Sequence, residues 1–235
     1  LLKEIEYCLN LIEKMGEIMK TDSQIQTNVM NELKWDPSIT HENIGVMVSE
    51  GIVTLTGTVP TYFEKWAAER AAQNVTGVKA VVEKLKVKVS ILDEHEDQDI
   101  AEAIANQFNW NTQIPGDSIK AKVENGLVEL TGEVEWGFQR IAAEDCIRGL
   151  AGVGGVTNNI TIKKKNIEPS IIKNRIRDAL KRKADREFRH INIEVHGSEV
   201  TLSGEVHSLR DLQDVKGAAI GTPGVTKVES NLFVK

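Results

Sequence analysis

The segment Gly51-Ile52-Val53-Thr54-Leu55-Thr56-Gly57-Thr58-Val59 returns as Gly126-Leu127-Val128-Glu129-Leu130-Thr131-Gly132-Glu133-Val134. It returns a third time, slightly altered, as Val200-Thr201-Leu202-Ser203-Gly204-Glu205-Val206. The copies lie 75 and 72 residues apart, too far for a solenoid repeat and about right for a small domain. Such a period confines the chain to one architecture used three times. Function must then be sought in what the copies share and where they differ.

The register extends well beyond the glycines. Ile25/Val29/Leu33, Ile100/Ile104/Phe108 and Ile172/Ile176/Leu180 are three equivalent i, i+4, i+8 sets, each one face of an amphipathic helix opening its module. Alternating residues follow in Ile44-Gly45-Val46-Met47-Val48, in Ile119/Ala121/Val123 and in Ile191/Ile193/Val195. Period two means a strand with one buried face. Ser49-Glu50-Gly51 turns into a second alternating strand at Val53/Leu55/Gly57/Val59, which makes a hairpin.

After Pro60-Thr61 a second helix carries the small inner face Ala67, Ala68, Ala71, Ala72 and Val75, so its axis can lie close to a sheet. Gly77, Gly152 and Gly224 align at its end, where a left-handed cap needs a residue without Cβ. A last strand runs through Val81/Leu85/Val87 and its equivalents. The expected fold class is α+β, three tandem αββαβ modules of a three-stranded sheet with two helices on one face. The modules are expected at residues 21–92, 96–165 and 166–235, after a helical N-terminal extension over 1–20.

This combination of V-x-L-x-G-x-V, an alanine-rich helix, a glycine turn and a closing strand resembles the BON domain. The resemblance covers residues 22–235 in three copies. The chain as a whole resembles the osmotically inducible periplasmic protein Y family, as a cytoplasmic-type member. In the third copy His196-Gly197-Ser198-Glu199 places the turn glycine one position early, so that hairpin loop is expected to differ. The resemblance implies a bacterial, non-enzymatic module linked to osmotic and envelope stress. Lipid-surface binding or chaperone-like action is implied for some members, and potassium binding for one cytoplasmic member with a partner domain. No catalytic residues come with it.

Charge narrows the partners. A net charge of −6 and a pI near 5.5 argue against generic nucleic-acid binding, which needs a dominant basic face. The middle region, residues 91–167, holds 7 basic against 13 acidic side chains, whereas residues 168–235 hold 12 against 10. No apolar run is long enough to span a membrane. Two cysteines give no disulfide framework, which suits a reducing compartment. The expected location is the bacterial cytoplasm, or the periplasm if a signal peptide has been removed. Cys146 aligns with Ala71 and Ala218 and reads as an inert core thiol; Cys8 lies outside the repeats.

Residues 1–20 belong to no repeat. Leu2, Ile5, Leu9, Ile12 and Met19 have near-heptad spacing, and charges break up any signal-peptide core. Met19-Lys20-Thr21-Asp22 resembles the start of cytoplasmic members of the family. The extension is either additional upstream sequence or an oligomerisation helix, and the oligomeric state stays open.

Three places are candidate sites. At the start of the second helices, Tyr62, Trp66 and Trp136 are irregular between copies, so they are the expected exposed contacts for lipid or apolar protein segments. Phe63 and Phe138 align there and are expected to staple helix to sheet, and Trp35 and Trp110 to anchor the first helix by packing. The basic helix of module 3, with Lys173, Arg177, Lys181 and Arg182 following Lys163-Lys164-Lys165, has two readings. It is an anionic-surface contact, or a solvated face docked on the acidic middle module. Asp93-Glu94-His95-Glu96-Asp97-Gln98-Asp99 reads as a solvated linker with Asp97 as helix N-cap, not as a cation loop.

The repeated Gly57, Gly132 and Gly204 mark either a close backbone approach or a ligand site, and the absence of a fixed polar neighbour favours the former. No catalytic motif, metal site or cofactor site is found, and the five histidines share no repeated position. The BON resemblance, together with the uneven aromatic and basic decoration of the modules, implies a non-catalytic, stress-associated protein that binds phospholipid surfaces or exposed apolar segments. The alternative is a sensor or scaffold responsive to potassium or another cation.

Overall fold

The computed structural model describes residues 20–88, 96–165, 167–183 and 191–234, with the side chains of residues 182 and 183 outside that description. All of the expected 1–20 extension except Lys20, and the linker segment 89–95, also lie outside it. Module 1 comprises α1 (Asp22–Trp35), β1 (Ile44–Ser49), β2 (Ile52–Val59), α2 (Tyr62–Asn74) and β3 (Ala80–Val87). Module 2 comprises α3 (Asp97–Trp110), β4 (Ile119–Glu124), β5 (Leu127–Val134), α4 (Gly137–Ile147) and β6 (Gly155–Ile162). Module 3 comprises α5 (Pro169–Lys183), β7 (Asn192–His196), β8 (Glu199–Val206), α6 (Leu209–Ile220) and β9 (Lys227–Val234). The architecture is α+β, three tandem modules with one three-stranded sheet each.

In every sheet the hairpin is antiparallel and the third strand joins the middle strand in parallel. The second helix is thus the crossover of a β–α–β unit. The i, i+4, i+8 residues of the first helices are all buried, as are Val53, Leu55 and Val59 and their equivalents. Three separate apolar clusters result, one per module. On α2, Ala67, Ala68, Ala71 and Ala72 are all buried; side chains this short let the helix lie against the sheet.

Helix starts are well determined. Thr21 and Gln24 form a reciprocal capping box on α1, with bonds of 3.0 and 3.3 Å. The N-cap of α3 is Glu96 rather than Asp97. Asp97 instead reaches the hairpin, where its carboxylate accepts the turn amides of Asn125 at 2.8 Å and Gly126 at 2.9 Å. Asp22 does the same to Glu50 at 2.8 Å and Gly51 at 2.9 Å. One ionised side chain thereby ties each of these first helices to the tip of its own hairpin through two charge-assisted bonds.

Those tips are two-residue turns with positive φ at both positions, Glu50 (53°) with Gly51 (79°) and Asn125 (51°) with Gly126 (73°), the pattern of type I′. Module 3 has Pro169 where the aspartates stand. Its turn has positive φ only at Gly197 (62°), the first central position, as in type II′. The early glycine is thus a change of turn type with the two-residue loop length kept.

Gly57, Gly132 and Gly204 have φ of 128°, 136° and 136°. A Cβ on Gly57 would overlap the carbonyl oxygen of Asn43, and one on Gly132 that of Ser118. Gly57 and Gly132 are thus close backbone approaches, and Gly204 shares their backbone conformation. Gly57 sits opposite Ile44 and Gly132 opposite Ile119, in each case the first residue of the hairpin.

The modules touch through equivalent residues. Tyr62, Gly137 and Leu209 each follow the N-cap of a second helix, Thr61, Trp136 and Ser208. Tyr62 packs against the core of module 2. Gly137 is pressed so closely on the Ile220 carbonyl of module 3 that a Cβ would overlap it. Leu209 packs against the core of module 1, and α6 lies against α2.

The glycine approach yields a test. Gly132→Ala forces both a left-handed backbone on an L-residue and the displacement of a carbonyl, and should cost on the order of 3 kcal/mol. Gly149→Ala, where an added Cβ meets nothing within 4 Å, should change stability by less than about 0.5 kcal/mol. Urea denaturation of both variants checks the contrast; equal midpoints would contradict the assignment.

Candidate interaction surface

Two of the three sequence-predicted aromatics stand at a joint between modules. Tyr62 is half-buried against module 2, its phenol facing the Val156 backbone. Burial, aided by the nearby Glu144 carboxylate, pushes its phenol above the ordinary value, while Arg148 and the Val156 backbone oppose the shift. Trp66 packs on the core of module 1. Its ring lies 4.2 Å from the Arg148 guanidinium of module 2 and 5.0 Å from that of Arg70.

Arg148 is only 9% exposed and is pinned by Asp145 at 2.7 Å and Glu144 at 2.9 Å. Its Nε has no hydrogen-bond partner. Trp136 is half-buried at the N-cap of α4, with the Lys165 ammonium 3.7 Å from its ring. Lys165 also pairs with Glu135 at 3.1 Å.

The most exposed aromatics are others. Trp35 is 83% and Trp110 86% exposed, so the expectation that they anchor their helices by packing does not hold. The signal was present in the period: each follows the last buried residue of its helix, Leu33 or Phe108, by two positions. Two positions turn a side chain about 200° around a helix, onto the far face. Phe63 and Phe138, expected as staples to the sheet, are 39% and 46% exposed. They overhang the first turn of α2 and α4, beyond the alanines that make the contact.

Each module has a groove beside its second helix, facing the first helix in modules 1 and 3 and the loop that follows it in module 2. In module 1 it measures about 500 Å³ and is lined by Glu32, Trp35, Pro37, Phe63, Trp66 and Arg70, among others. In module 2 it measures about 410 Å³, with Asn111, Gln113, Phe138, Ile141, Asp145 and Cys146. In module 3 it measures about 510 Å³, with Arg175, Asp178, Gly217, Gly221, Thr222 and Pro223. Among the described residues the module 3 groove has small and charged residues in its lining and no aromatic. Alignment puts Arg182 where Trp35 and Trp110 stand, and Arg210 where Phe63 and Phe138 stand.

The basic helix α5 packs on β7 and α6 of its own module. Arg175, Arg177 and Lys181 are exposed and Lys173 is half-buried. None of the four is in an ion pair among the described residues; Arg177 donates to Asn174 at 3.1 Å. The side chain of Arg182 is outside the described residues. Among those residues no cluster of three metal-ligating side chains occurs, and no helix is long and apolar enough to cross a membrane.

A family model described as the BON domain matches residues 21–89, 96–164 and 170–235. The chain is 28% identical over 156 residues to osmotically-inducible protein Y of Escherichia coli (strain K12), a match spanning 65% of this chain and 77% of that one. Among solved structures, the C-terminal domain of CdsD, a structural protein of the type III secretion system of Chlamydia trachomatis, aligns at 13% identity. That alignment covers 89% of this chain and 96% of the other, with a TM-score of 0.25. A second CdsD structure covers 89% and 91% at 13% identity, with a TM-score of 0.26. At scores so low the likeness carries no weight for function.

Half-burial raises the Cys146 thiol from 9.0 to about 11. Cys146 in a Cys8→Ser chain should therefore react slowly with a disulfide reagent at pH 8 and faster toward pH 11, because the thiolate is the nucleophile. The raised value also means a stability contribution present below pH 9 and lost as pH rises toward 11. Thiol kinetics against pH check the first, and a reaction at pH 8 as fast as in the urea-unfolded chain would refute it.

Proposed function

The chain belongs to the BON-domain family, and on that premise we propose that it is a non-catalytic, osmotic-stress-associated protein that binds anionic phospholipid surfaces. The observation that carries the reading is the exposure of aromatics at equivalent places in two modules: Trp35 and Phe63, which line one groove in module 1, and Trp110 and Phe138 in module 2. Two tryptophans this exposed at equivalent helix ends lose free energy in water and gain it at a headgroup boundary, where an apolar ring with a polar N–H is matched on both sides. Trp66 supplies an inner wall of the module 1 edge, Tyr62 braces the joint behind it, and Trp136 in module 2 lies under the Lys165 ammonium.

Charge supports the same target. Lys173, Arg177 and Lys181, unpaired among the described residues, are followed in sequence by Arg182. They give module 3 an anionic-surface contact at roughly 1 kcal/mol per cation near the surface. The osmotic-stress association comes from the relative, whose name describes it as osmotically inducible. A second reading, capture of exposed apolar protein segments, rests on the grooves, whose volumes of about 500 and 410 Å³ suit one or two apolar side chains. Protection of an unfolding client from aggregation would favour it, above all if vesicles did not compete.

Two outcomes are expected in vesicle sedimentation. Trp35→Ala and Trp110→Ala should each weaken binding to phosphatidylcholine/phosphatidylglycerol vesicles about tenfold, from partial burial of one aromatic ring. This loss should persist in high salt. The pair Arg177→Glu and Lys181→Glu should weaken binding at low salt only, because the Debye length falls to roughly 3 Å at 1 M. Unchanged affinity in the tryptophan variants would sink the reading.

A further inference from the structure

Three contacts between modules use one position. Tyr62 of module 1 reaches module 2, Gly137 of module 2 reaches module 3, and Leu209 of module 3 reaches module 1. Each is the first residue of its second helix. A head-to-tail contact repeated through equivalent surfaces either grows without end or closes into a ring. Here the third contact returns to the first module, so it closes.

We infer that this closed ring sets the aromatic edges of modules 1 and 2 and the basic edge of module 3 on one face, so that the chain grips an anionic bilayer at three points at once. The inference rests on the lipid-surface reading above. A head-to-tail ring has a polar axis, and equivalent points on its members lie at one height along that axis. Trp35 and Trp110 are equivalent, and alignment puts Arg182 at the third such place. The edges also lie close to the joints: Trp66 lines the module 1 groove and touches Arg148 of module 2.

The occupant follows from charge and shape. The third edge is cationic, with Lys173, Arg175, Arg177 and Lys181 of α5 outside any ion pair among the described residues, which calls for anionic headgroups. The other two edges offer rings for the acyl boundary beneath those headgroups. A bilayer is flat and carries both layers beside each other over the whole breadth of such a face. Three contacts held by a rigid frame act with a high effective concentration once the first is made.

Single-tryptophan chains retaining only Trp35 or only Trp110, with the other three tryptophans changed to Phe, test the geometry. In phosphatidylcholine/phosphatidylglycerol vesicles carrying brominated acyl chains, both should be quenched and report the same depth. Quenching of one alone would overturn the single face. Gly137→Val places a side chain where the Ile220 carbonyl lies and opens the ring without touching any edge. With far-ultraviolet circular dichroism unchanged, it should bind the same vesicles on the order of tenfold more weakly or worse. Affinity equal to that of the unaltered chain would overturn the inference and leave lipid binding standing. Should Gly137→Val lose its fold, the quenching pair still decides. If the unaltered chain bound no phosphatidylglycerol vesicle, the lipid reading would fail and this inference with it.

Discussion

Modules 1 and 2 are each organised by the approach of one carbonyl to one glycine. At Gly57 and Gly132 the chain arriving from the first helix passes so close that its last carbonyl before the sheet fills the space of a side chain. That approach fixes the first pair of the hairpin, Ile44 with Gly57 and Ile119 with Gly132. A slip by one residue would turn every core valine to solvent, so register and core are decided together. It also brings the end of the first helix beside the start of the second, where the Thr40 amide donates to the buried Glu64 carboxylate. The aromatic edge is built at that meeting point.

Around this frame the copies diverge. Two aspartates clasp their hairpin tips, while the third module changes its turn type and has proline at that position. Two grooves are aromatic and one is small and charged. The joints diverge most, since the same position is a tyrosine, a glycine and a leucine. A large ring seated on a neighbour's core, a bare backbone contact and an aliphatic plug are three ways to fill one kind of space.

The joints matter energetically because modules of about 70 residues bury a modest fraction of their surface and are marginal alone. Placing Tyr62 and Leu209 on a neighbour's core extends each small cluster across a boundary. Arg148 shows the cost side. Its guanidinium is almost fully buried with one nitrogen unpartnered, and two carboxylates and the Trp66 ring offset that desolvation.

The repeat, the two periodicities and the glycines were enough to derive the αββαβ order, the buried faces and the altered third turn. All of these are local, or follow from a side chain's angle about a helix or strand. Trp35 and Trp110 were legible in the same way, since two residues past a buried position is the opposite face, although bulk argued for packing. Tyr62 and Trp66 were not legible. Whether an aromatic at the first turn of a helix meets water or a neighbour depends on what docks there, and Ile220 and Gly137 are 83 residues apart. Asp97 misled for the same reason: its spacing suits a cap, while its partners lie 28 and 29 residues on. The sequence by itself determined the module, because module structure is written in short-range periodicity. Only the tertiary structure decided the joints and the exposed edges, because those depend on contacts between residues that no period relates.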